Sequence, residues 1–223
     1  MKLVEYPDRD MLMIDLANHL AGELAEALMN HDRATFAVPG GTTPGPVFDT
    51  LSGADLHWDR ISVMLTDERW VPEESPRSNT ALVRERLLTS RAAMADLVPL
   101  YDETETPEQA IDALSDGVRA QLPISVLLLG MGADGHIASL FPGADKLDAA
   151  LDDHAPPLMA MRAPGAPEPR ITLTAPVLAG AMSAHILITG AEKRETLERA
   201  RHASRADMPV RVVWPDVTVH WAE

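Results

Sequence analysis

Hydrophobic residues recur with helical spacing near the start of the chain. They follow one another at intervals of three or four positions, at Met13, Leu16, Leu20, Leu24 and Leu28. Acidic residues occupy other positions on the same helical wheel, so one face of the segment is apolar and the rest is polar. The pattern predicts an amphipathic helix from Asp8 to Asn30.

Short apolar runs alternate with further helical segments along the rest of the chain. A fully apolar run bounded by turn residues is typical of a buried strand. The predicted strands are Ala34–Val38, Ile61–Leu65, Leu97–Leu100, Ile124–Leu129, Leu158–Met161, Ile171–Leu173, His185–Thr189, Val210–Val213 and Val217–His220. The predicted helices between them are Gly45–Leu51, Asn79–Leu88, Thr106–Gln121 and Ala191–Arg201. This alternation predicts an α/β fold with a largely parallel sheet, and the absence of repeats or linkers predicts a single domain over 1–223.

The charge balance limits the partners that the chain can bind. Its 223 residues include 34 acidic and 19 basic residues, which gives a formal net charge of −15. This field repels nucleic-acid phosphates and anionic membrane surfaces, so we expect neither as a partner. An anionic ligand would need a local pocket that opposes the global charge.

The chain contains no cysteine, which excludes disulfides, thiolate metal sites and a cysteine nucleophile. Its N-terminus is interrupted by acidic residues and has no long apolar segment of the kind found in signal peptides. No stretch approaches the roughly 18 apolar residues of a membrane span. We therefore expect a cytoplasmic protein.

A glycine-rich loop joins the predicted strand 34–38 to the following helix. Gly40, Gly41, Thr42 and Thr43 place flexible backbone amides and hydroxyls before a helix N-terminus, where an anion is favoured. The same residues also suit an ordinary tight turn with a capping threonine. The motif matches neither the Walker pattern nor G-x-G-x-x-G, so it gives nucleotide binding no direct support.

Polar residues follow the strand 61–65 in the segment TDERWVP. Ligands of open α/β sheets bind beyond the carboxyl ends of strands, so Asp67 and Arg69 are candidates to hold a hydroxyl and an oxyanion. A solvated, salt-bridged loop is the alternative. Arg170 begins a later strand, and Lys193 lies in the first turn of a helix, where a cation opposes the helix dipole unless it neutralises an anion. A surface lysine is the alternative there.

The most apolar strand runs into a loop that contains Asp134 and His136. Three glycines make this loop flexible, and an acid two residues before the histidine suits a general base whose ring is oriented by a carboxylate. The spacing is not a zinc signature, and Ser139 lacks the G-x-S-x-G elbow of serine hydrolases. We therefore expect a histidine base without a metal.

Taken together, these blocks resemble the 6-phosphogluconolactonase family, within the wider glucosamine-6-phosphate deaminase/6-phosphogluconolactonase superfamily. The matching stretches are PGGTTP, TDERWVP with SN at 78–79, LLLGMGADGHIASLFPG, RITLT and TGAEKRETL. The resemblance implies a three-layer α/β sandwich with a mostly parallel, Rossmann-like central sheet flanked by helices. It also implies hydrolysis of 6-phospho-D-glucono-1,5-lactone to 6-phosphogluconate, with no cofactor and no obligate protein partner.

The resemblance also implies roles for individual residues. His136 corresponds to the catalytic base, and Asp67 and Arg69 correspond to residues that contact the substrate. The implied phosphate-binding set lies on the glycine-rich loop and on two later elements: Gly41, Thr42, Arg170 and Lys193. From the residues themselves, Asp134 or a backbone carbonyl orients the base, and the amides of residues 40–43 assist the phosphate site.

Two alternatives use the same scaffold. In the deaminase branch, the histidine block continues with an aromatic residue and then Asn-Glu-Pro, whereas this chain has Leu140, Phe141 and Pro142. Phenylalanine cannot relay a proton, which favours the lactonase over sugar isomerisation with loss of amine. The other alternative is a non-catalytic sugar-phosphate sensor, against which stand the intact His136 and the absence of an attached DNA-binding module.

Overall fold

The computed structural model describes residues 1–223. Its ten strands are, in chain order, Lys2–Glu5 (β1), Ala34–Val38 (β2), Ile61–Leu65 (β3), Asp67–Arg69 (β4), Asp96–Val98 (β5), Val126–Gly130 (β6), Leu158–Met161 (β7), Arg170–Leu173 (β8), Ser183–Thr189 (β9) and Val217–Ala222 (β10). Its seven α-helices are Arg9–Asn30 (α1), Gly45–Ser52 (α2), Asn79–Arg86 (α3), Pro107–Arg119 (α4), Leu147–Leu151 (α5), Ala175–Ala179 (α6) and Ala191–Ala200 (α7).

Seven of the strands form a parallel sheet in the order β1-β10-β9-β6-β2-β3-β5. Every residue of β2 and β3 is buried, so both faces of the sheet centre are covered. The chain moves outward from β2 through β3 to β5, and in the opposite direction from β6 through β9 to β10. The order therefore reverses between β2 and β6, which is where α/β sheets of this kind bind ligands. The predicted parallel α/β sheet flanked by helices is confirmed.

A second, smaller sheet is antiparallel, with the order β4-β8-β7. Only Thr66 separates β3 in the large sheet from β4 in the small one. Its amide donates to the carbonyl of Val38 at 2.9 Å, and its carbonyl accepts from the amide of Leu173 at 2.9 Å. One residue is thus hydrogen-bonded to both sheets.

Capping residues determine where the two longest helices, α1 and α4, begin. The Asp8 carboxylate accepts from the amide of Met11 at 2.8 Å and caps α1, whose predicted leucine stripe is buried. Thr106 caps α4 and Pro107 opens it, and the Gln109 side chain completes a capping box. The buried hydrophobic side chains form one continuous cluster, in which Trp58, Phe36 and Phe48 are the largest fully buried members.

The structure differs from the sequence-based predictions in several places. Val210–Val213 is not a strand: Pro209–Asp216 forms a 3-10 helix. Prolines bracket this apolar run, and β9 and β1 already occupy both edges of β10, so the run has no neighbouring edge there to pair with. Strand β1 was not predicted, nor was β4, which the sequence analysis placed in a polar loop. The predicted strand Leu158–Met161 is confirmed as β7, whereas the short helices α5 and α6 were not predicted.

No helix in the structure combines the length and the apolar character that crossing a bilayer requires.

Candidate active site

Two adjoining cavities form one cleft at the carboxyl ends of β2, β6 and β9, where the small sheet meets the large one. The cavities share the loop residues Pro39 and Gly40 and the strand-end residues Gly130 and Met131. We call the one that contains His136 the histidine cavity and the one that contains Lys193 the lysine cavity. Both lie at the reversal of strand order between β2 and β6.

His136 lies in a tight loop after β6, and its ring is held from two sides. Its Nδ1 is 2.6 Å from Oδ1 of Asp134, and its ring centroid is 4.2 Å from that of Phe141. The same Oδ1 accepts from the backbone amide of His136 at 3.2 Å. Since Asp134 engages Nδ1, the other ring nitrogen, Nε2, is the one available to a ligand in the histidine cavity.

The ionised state of Asp134 follows from these contacts. Partial burial alone would raise the pKa of its carboxyl, but the hydrogen bonds and charge interaction with His136 outweigh burial and lower it. The carboxylate is therefore charged at neutral pH. A charged acceptor fixes the tautomer of the imidazole and stabilises the imidazolium that forms when Nε2 takes a proton.

Two glycines let side chains approach the backbone closely. A Cβ on Gly132 would lie 2.1 Å from Nδ1 of His136 and 2.5 Å from Oδ1 of Asp134. A Cβ on Gly40 would lie 2.1 Å from Oδ1 of Asn79. These loops contain glycine because the functional side chains occupy the space that a methyl group would fill.

Asp67 occupies the floor of the histidine cavity and is almost fully buried. Its Oδ2 accepts from the hydroxyl of Ser139 at 2.5 Å and lies 3.7 Å from Nη1 of Arg170. The hydroxyl of Thr66 donates to Oδ1 at 3.3 Å. The fully buried Ser139 therefore acts on Asp67 rather than as a nucleophile, a role that sequence reasoning did not find.

Arg69 on β4 and Arg170 on β8 lie directly opposite each other in the antiparallel pairing of these two strands. Burial is the main cause that lowers the pKa of Arg170, opposed by Asp67 and reinforced by the like charge of Arg69. The Arg170 guanidinium also lies over the Phe141 ring, 5.2 Å from its centroid. The Nε atoms of both arginines are buried without a hydrogen-bond partner. Two partly buried cations, each with an unpaired Nε donor, lie in one cavity and fit an anionic or strongly polar oxygen.

Glu68 is fully buried, and its carboxylate is hydrogen-bonded on both oxygens. It was not among the site residues predicted from the sequence. Its carboxylate accepts from the amides of Arg69, Asn79 and Thr80 at 2.8, 2.9 and 2.7 Å, and from the hydroxyls of Ser78 and Thr80 at 3.3 and 2.8 Å. These amides include the first ones of α3, so Glu68 ties that helix to the strand between Asp67 and Arg69. In a strand, the side chain of Glu68 points to the opposite face from those of Asp67 and Arg69. The sequence would have shown this only if β4 had been predicted.

The lysine cavity lies between two helix N-termini. Thr43 and Pro44 precede α2, and Lys193 lies in the first turn of α7. No acidic residue lines this cavity, although the chain as a whole is strongly acidic. The ammonium group and the two helix dipoles together make a local positive site.

The predicted site residues distribute over the cleft as follows. The histidine cavity contains Gly40, Gly41, Asp67, Arg69, His136 and Arg170, and the lysine cavity contains Gly40, Thr43 and Lys193. Asp134 lines neither cavity and acts through His136. Thr42 is exposed and also lines neither, so its part in phosphate binding stays a prediction.

Comparisons with known proteins identify the family of this chain. The family described as glucosamine-6-phosphate isomerases/6-phosphogluconolactonase matches residues 7–221. A 6-phosphogluconolactonase from Rhizobium meliloti is 41 % identical over 93 % of this chain and 92 % of its own. One from Pseudomonas aeruginosa is 41 % identical over 92 % of this chain and 88 % of its own.

Solved structures share the whole fold. The crystal structure of a 6-phosphogluconolactonase from Shewanella baltica superimposes with a TM-score of 0.96 at 31 % identity, covering 100 % of this chain and 98 % of that one. A monomeric glucosamine-6-phosphate deaminase superimposes with a TM-score of 0.79 at 18 % identity, covering 100 % and 98 %, which shows a common fold alone. The chain belongs to the glucosamine-6-phosphate isomerase/6-phosphogluconolactonase family.

Proposed function

We propose that this protein is an enzyme that hydrolyses 6-phospho-D-glucono-1,5-lactone to 6-phosphogluconate, the second step of the oxidative pentose phosphate pathway. The relatives named 6-phosphogluconolactonase, about 40 % identical over nearly the full length, support this activity. The observation that carries the proposal is the contact of 2.6 Å between Asp134 and Nδ1 of His136, which directs Nε2 of a histidine base at a cationic cavity.

The reaction follows from the groups in the histidine cavity. A lactone is an activated ester, so water can attack its carbonyl carbon directly once a base accepts the water proton. Nε2 of His136 accepts that proton while Asp134 stabilises the resulting imidazolium. Arg170, which the resemblance groups with the phosphate-binding residues, lines the histidine cavity instead of the lysine cavity. Arg69 and Arg170 stabilise the oxyanion of the tetrahedral intermediate, or one of them holds a ring hydroxyl together with Asp67.

Collapse of the intermediate completes the turnover. The bond between the carbonyl carbon and the ring oxygen breaks, and the imidazolium returns its proton to that oxygen as it becomes the C5 hydroxyl. The product is an open-chain carboxylic acid that releases its remaining proton to solvent to become the carboxylate, and the base is restored. These steps need water, one base and fixed cations, so the proposed reaction uses no cofactor.

The lysine cavity takes the phosphate group in this proposal. It adjoins the histidine cavity through Gly40 and Gly130, so the phosphate is bound apart from the bond that breaks. Lys193, the amides near Gly40 and Thr43 and the two helix dipoles supply the positive site. A small phosphorylated sugar is then the only partner that the reaction needs, and the cysteine-free chain fits a cytoplasmic enzyme.

Phe141 distinguishes this reaction from that of the deaminase relatives. Its ring packs on His136 with centroids 4.2 Å apart and carries no group that can exchange a proton. Ring opening and isomerisation of an amino sugar would need a second acid–base group beside the histidine. The phenyl ring instead limits solvent access to the base, which suits a single proton-transfer group.

The test uses lactone made in situ from glucose 6-phosphate by its dehydrogenase, with product measured through 6-phosphogluconate dehydrogenase and spontaneous hydrolysis subtracted. A parallel reaction with glucosamine 6-phosphate measures ammonia. We expect catalysis only with the lactone, and a loss of roughly 10²–10⁴ in rate for His136→Ala. His154→Ala is the matched control, because His154 is also two residues from an aspartate (3.8 Å) but is fully solvated.

Each other result contradicts the proposal in a definite way. Ammonia from the second reaction would establish the deaminase. Binding of the sugar phosphate without turnover of either compound would establish a sensor. A His136→Ala protein with near-wild-type turnover would move the base to another residue.

A further inference from the structure

Three potential metal ligands converge at a place distant from the cleft, between α1 and β9. Nε2 of His19 lies 3.2 Å from Oε1 of Glu23, and Oε2 of Glu23 lies 2.8 Å from Nε2 of His185. One ligand atom from each of the three residues lies within 4.8 Å of the other two. The proposed reaction uses none of these residues.

The secondary structure places these groups together. His19 and Glu23 are four positions apart on α1 and so share one face of the helix. His185 lies near the amino end of β9 and its ring is buried, whereas about half of the His19 side chain is exposed. The cluster is therefore anchored in the core and open to an ion from solvent.

A second set of groups orients the buried histidine. Nδ1 of His185 lies 3.0 Å from Nε2 of His220, and Nδ1 of His220 lies 2.9 Å from the hydroxyl of Tyr6. When His185 donates its Nδ1 proton to His220, its Nε2 presents a lone pair toward Glu23 and His19. Metal-ligating histidines are oriented in this way by a hydrogen bond at the other ring nitrogen. The hydroxyl of Ser183 lies 3.0 Å from Nε2 of His185 and is displaced from it when an ion binds.

We propose that His19, Glu23 and His185 bind a divalent transition-metal ion of the zinc class. Imidazole nitrogen and carboxylate oxygen are ligands that this class of ion takes at about 2.0–2.2 Å. Binding forms two nitrogen–metal bonds and one oxygen–metal bond, and any proton on His185 Nε2 leaves to solvent. The fourth position of a tetrahedral ion is left to water.

The place of the site in the fold sets its consequence. The cleft is lined by Leu187–Thr189 at the carboxyl end of β9, and these residues lie about 7 to 13 Å along the strand from His185. An ion at the cluster would therefore cross-link α1 to β9 without touching the substrate. We expect zinc to raise the thermal unfolding temperature and to leave kcat unchanged.

The test titrates the metal-free full-length protein with zinc chloride by calorimetry and measures bound zinc after dialysis. We expect one zinc ion per chain in the wild type. Removing a residue that only hydrogen-bonds to a metal ligand weakens metal binding roughly 10–100-fold. His19→Ala and Glu23→Gln change a ligand itself and should therefore weaken zinc binding at least about tenfold. Tyr6→Phe should weaken it less. His202→Ala, which removes another exposed histidine, is the matched control and should bind as the wild type does.

Two further measurements separate this site from the cleft. His136→Ala should keep the full zinc stoichiometry, and the cobalt-loaded wild type should show visible absorption bands that His19→Ala lacks. Zinc uptake that His136→Ala abolishes would place the ion in the cleft and overturn the proposal. Uptake unchanged in both His19→Ala and Glu23→Gln, or no uptake by the wild type, would also overturn it.

Discussion

Gly132→Ala tests whether the position of His136 limits catalysis. The new Cβ would lie 2.1 Å from Nδ1 and 2.2 Å from Cε1 of His136, well inside the ordinary contact distance of 3.4 Å. The imidazole must therefore retreat by about 1 Å, and a misplacement of that size costs on the order of 10²-fold in rate. The methyl group also approaches Asp134 Oδ1 to 2.5 Å, so the acid and the base are displaced together.

The assay is lactone hydrolysis at saturating substrate, with the spontaneous rate subtracted, beside a thermal unfolding curve. We expect kcat to fall about 100-fold while the unfolding temperature changes little, because the displaced side chains are partly exposed and can move. Gly22→Ala is the control: a Cβ there meets nothing within 4 Å, and alanine within α1 should add about 0.5–1 kcal/mol of stability. Unchanged kcat in Gly132→Ala would refute the assignment of His136 as a base held in place by Asp134.

Three further predictions concern other parts of the molecule. Lys193→Ala should raise KM much more than it lowers kcat, since the phosphate is bound apart from the reacting bond, and steady-state kinetics on the lactone measures both. Glu68→Gln should lower the free energy of unfolding by about 1.5–3 kcal/mol in urea titrations, because an amide nitrogen cannot accept the hydrogen bonds from the start of α3. The hydrogen bond from Arg162 lowers the pKa of Glu108 to about 2. The interaction of Glu108 with Arg162 therefore stabilises the folded protein above pH 4.5, the ordinary pKa of a glutamate, and this stabilisation is lost toward pH 2. Calorimetry should accordingly show a smaller acid-induced loss of stability in Glu108→Gln than in the wild type.

Elements with a strong local pattern could be predicted from the sequence. The leucine stripe of α1 and the apolar runs of β2 and β3 appear at their expected positions. The contact between Asp134 and the ring of His136 was also predictable, because an acid two residues before a histidine in a glycine-containing loop can reach the imidazole. Each of these features is decided by residues that are close together in the sequence.

Features decided by distant contacts could not be predicted. Strand β4 consists of three charged residues and exists because β8, about a hundred positions later, offers it an edge. Glu68 is buried for the same reason, since its partners at the start of α3 become neighbours only when β4 forms. The prediction for the apolar run at 210–213 was wrong for the opposite reason: its composition suits a strand, but both edges of β10, the strand that follows it, are already paired.

Thr66 has a consequence for how the cleft recognises its ligand. Its amide is bonded to one sheet and its carbonyl to the other, so β4 cannot rotate away from β3 without breaking a backbone hydrogen bond. Asp67 and Arg69 are the first and last residues of β4, so their backbone positions are fixed as well. In the proposed function, recognition by these two side chains is therefore pre-organised, and we expect little conformational entropy to be lost when the ligand binds. Selectivity in this half of the cleft comes from groups already in place rather than from closure around the sugar.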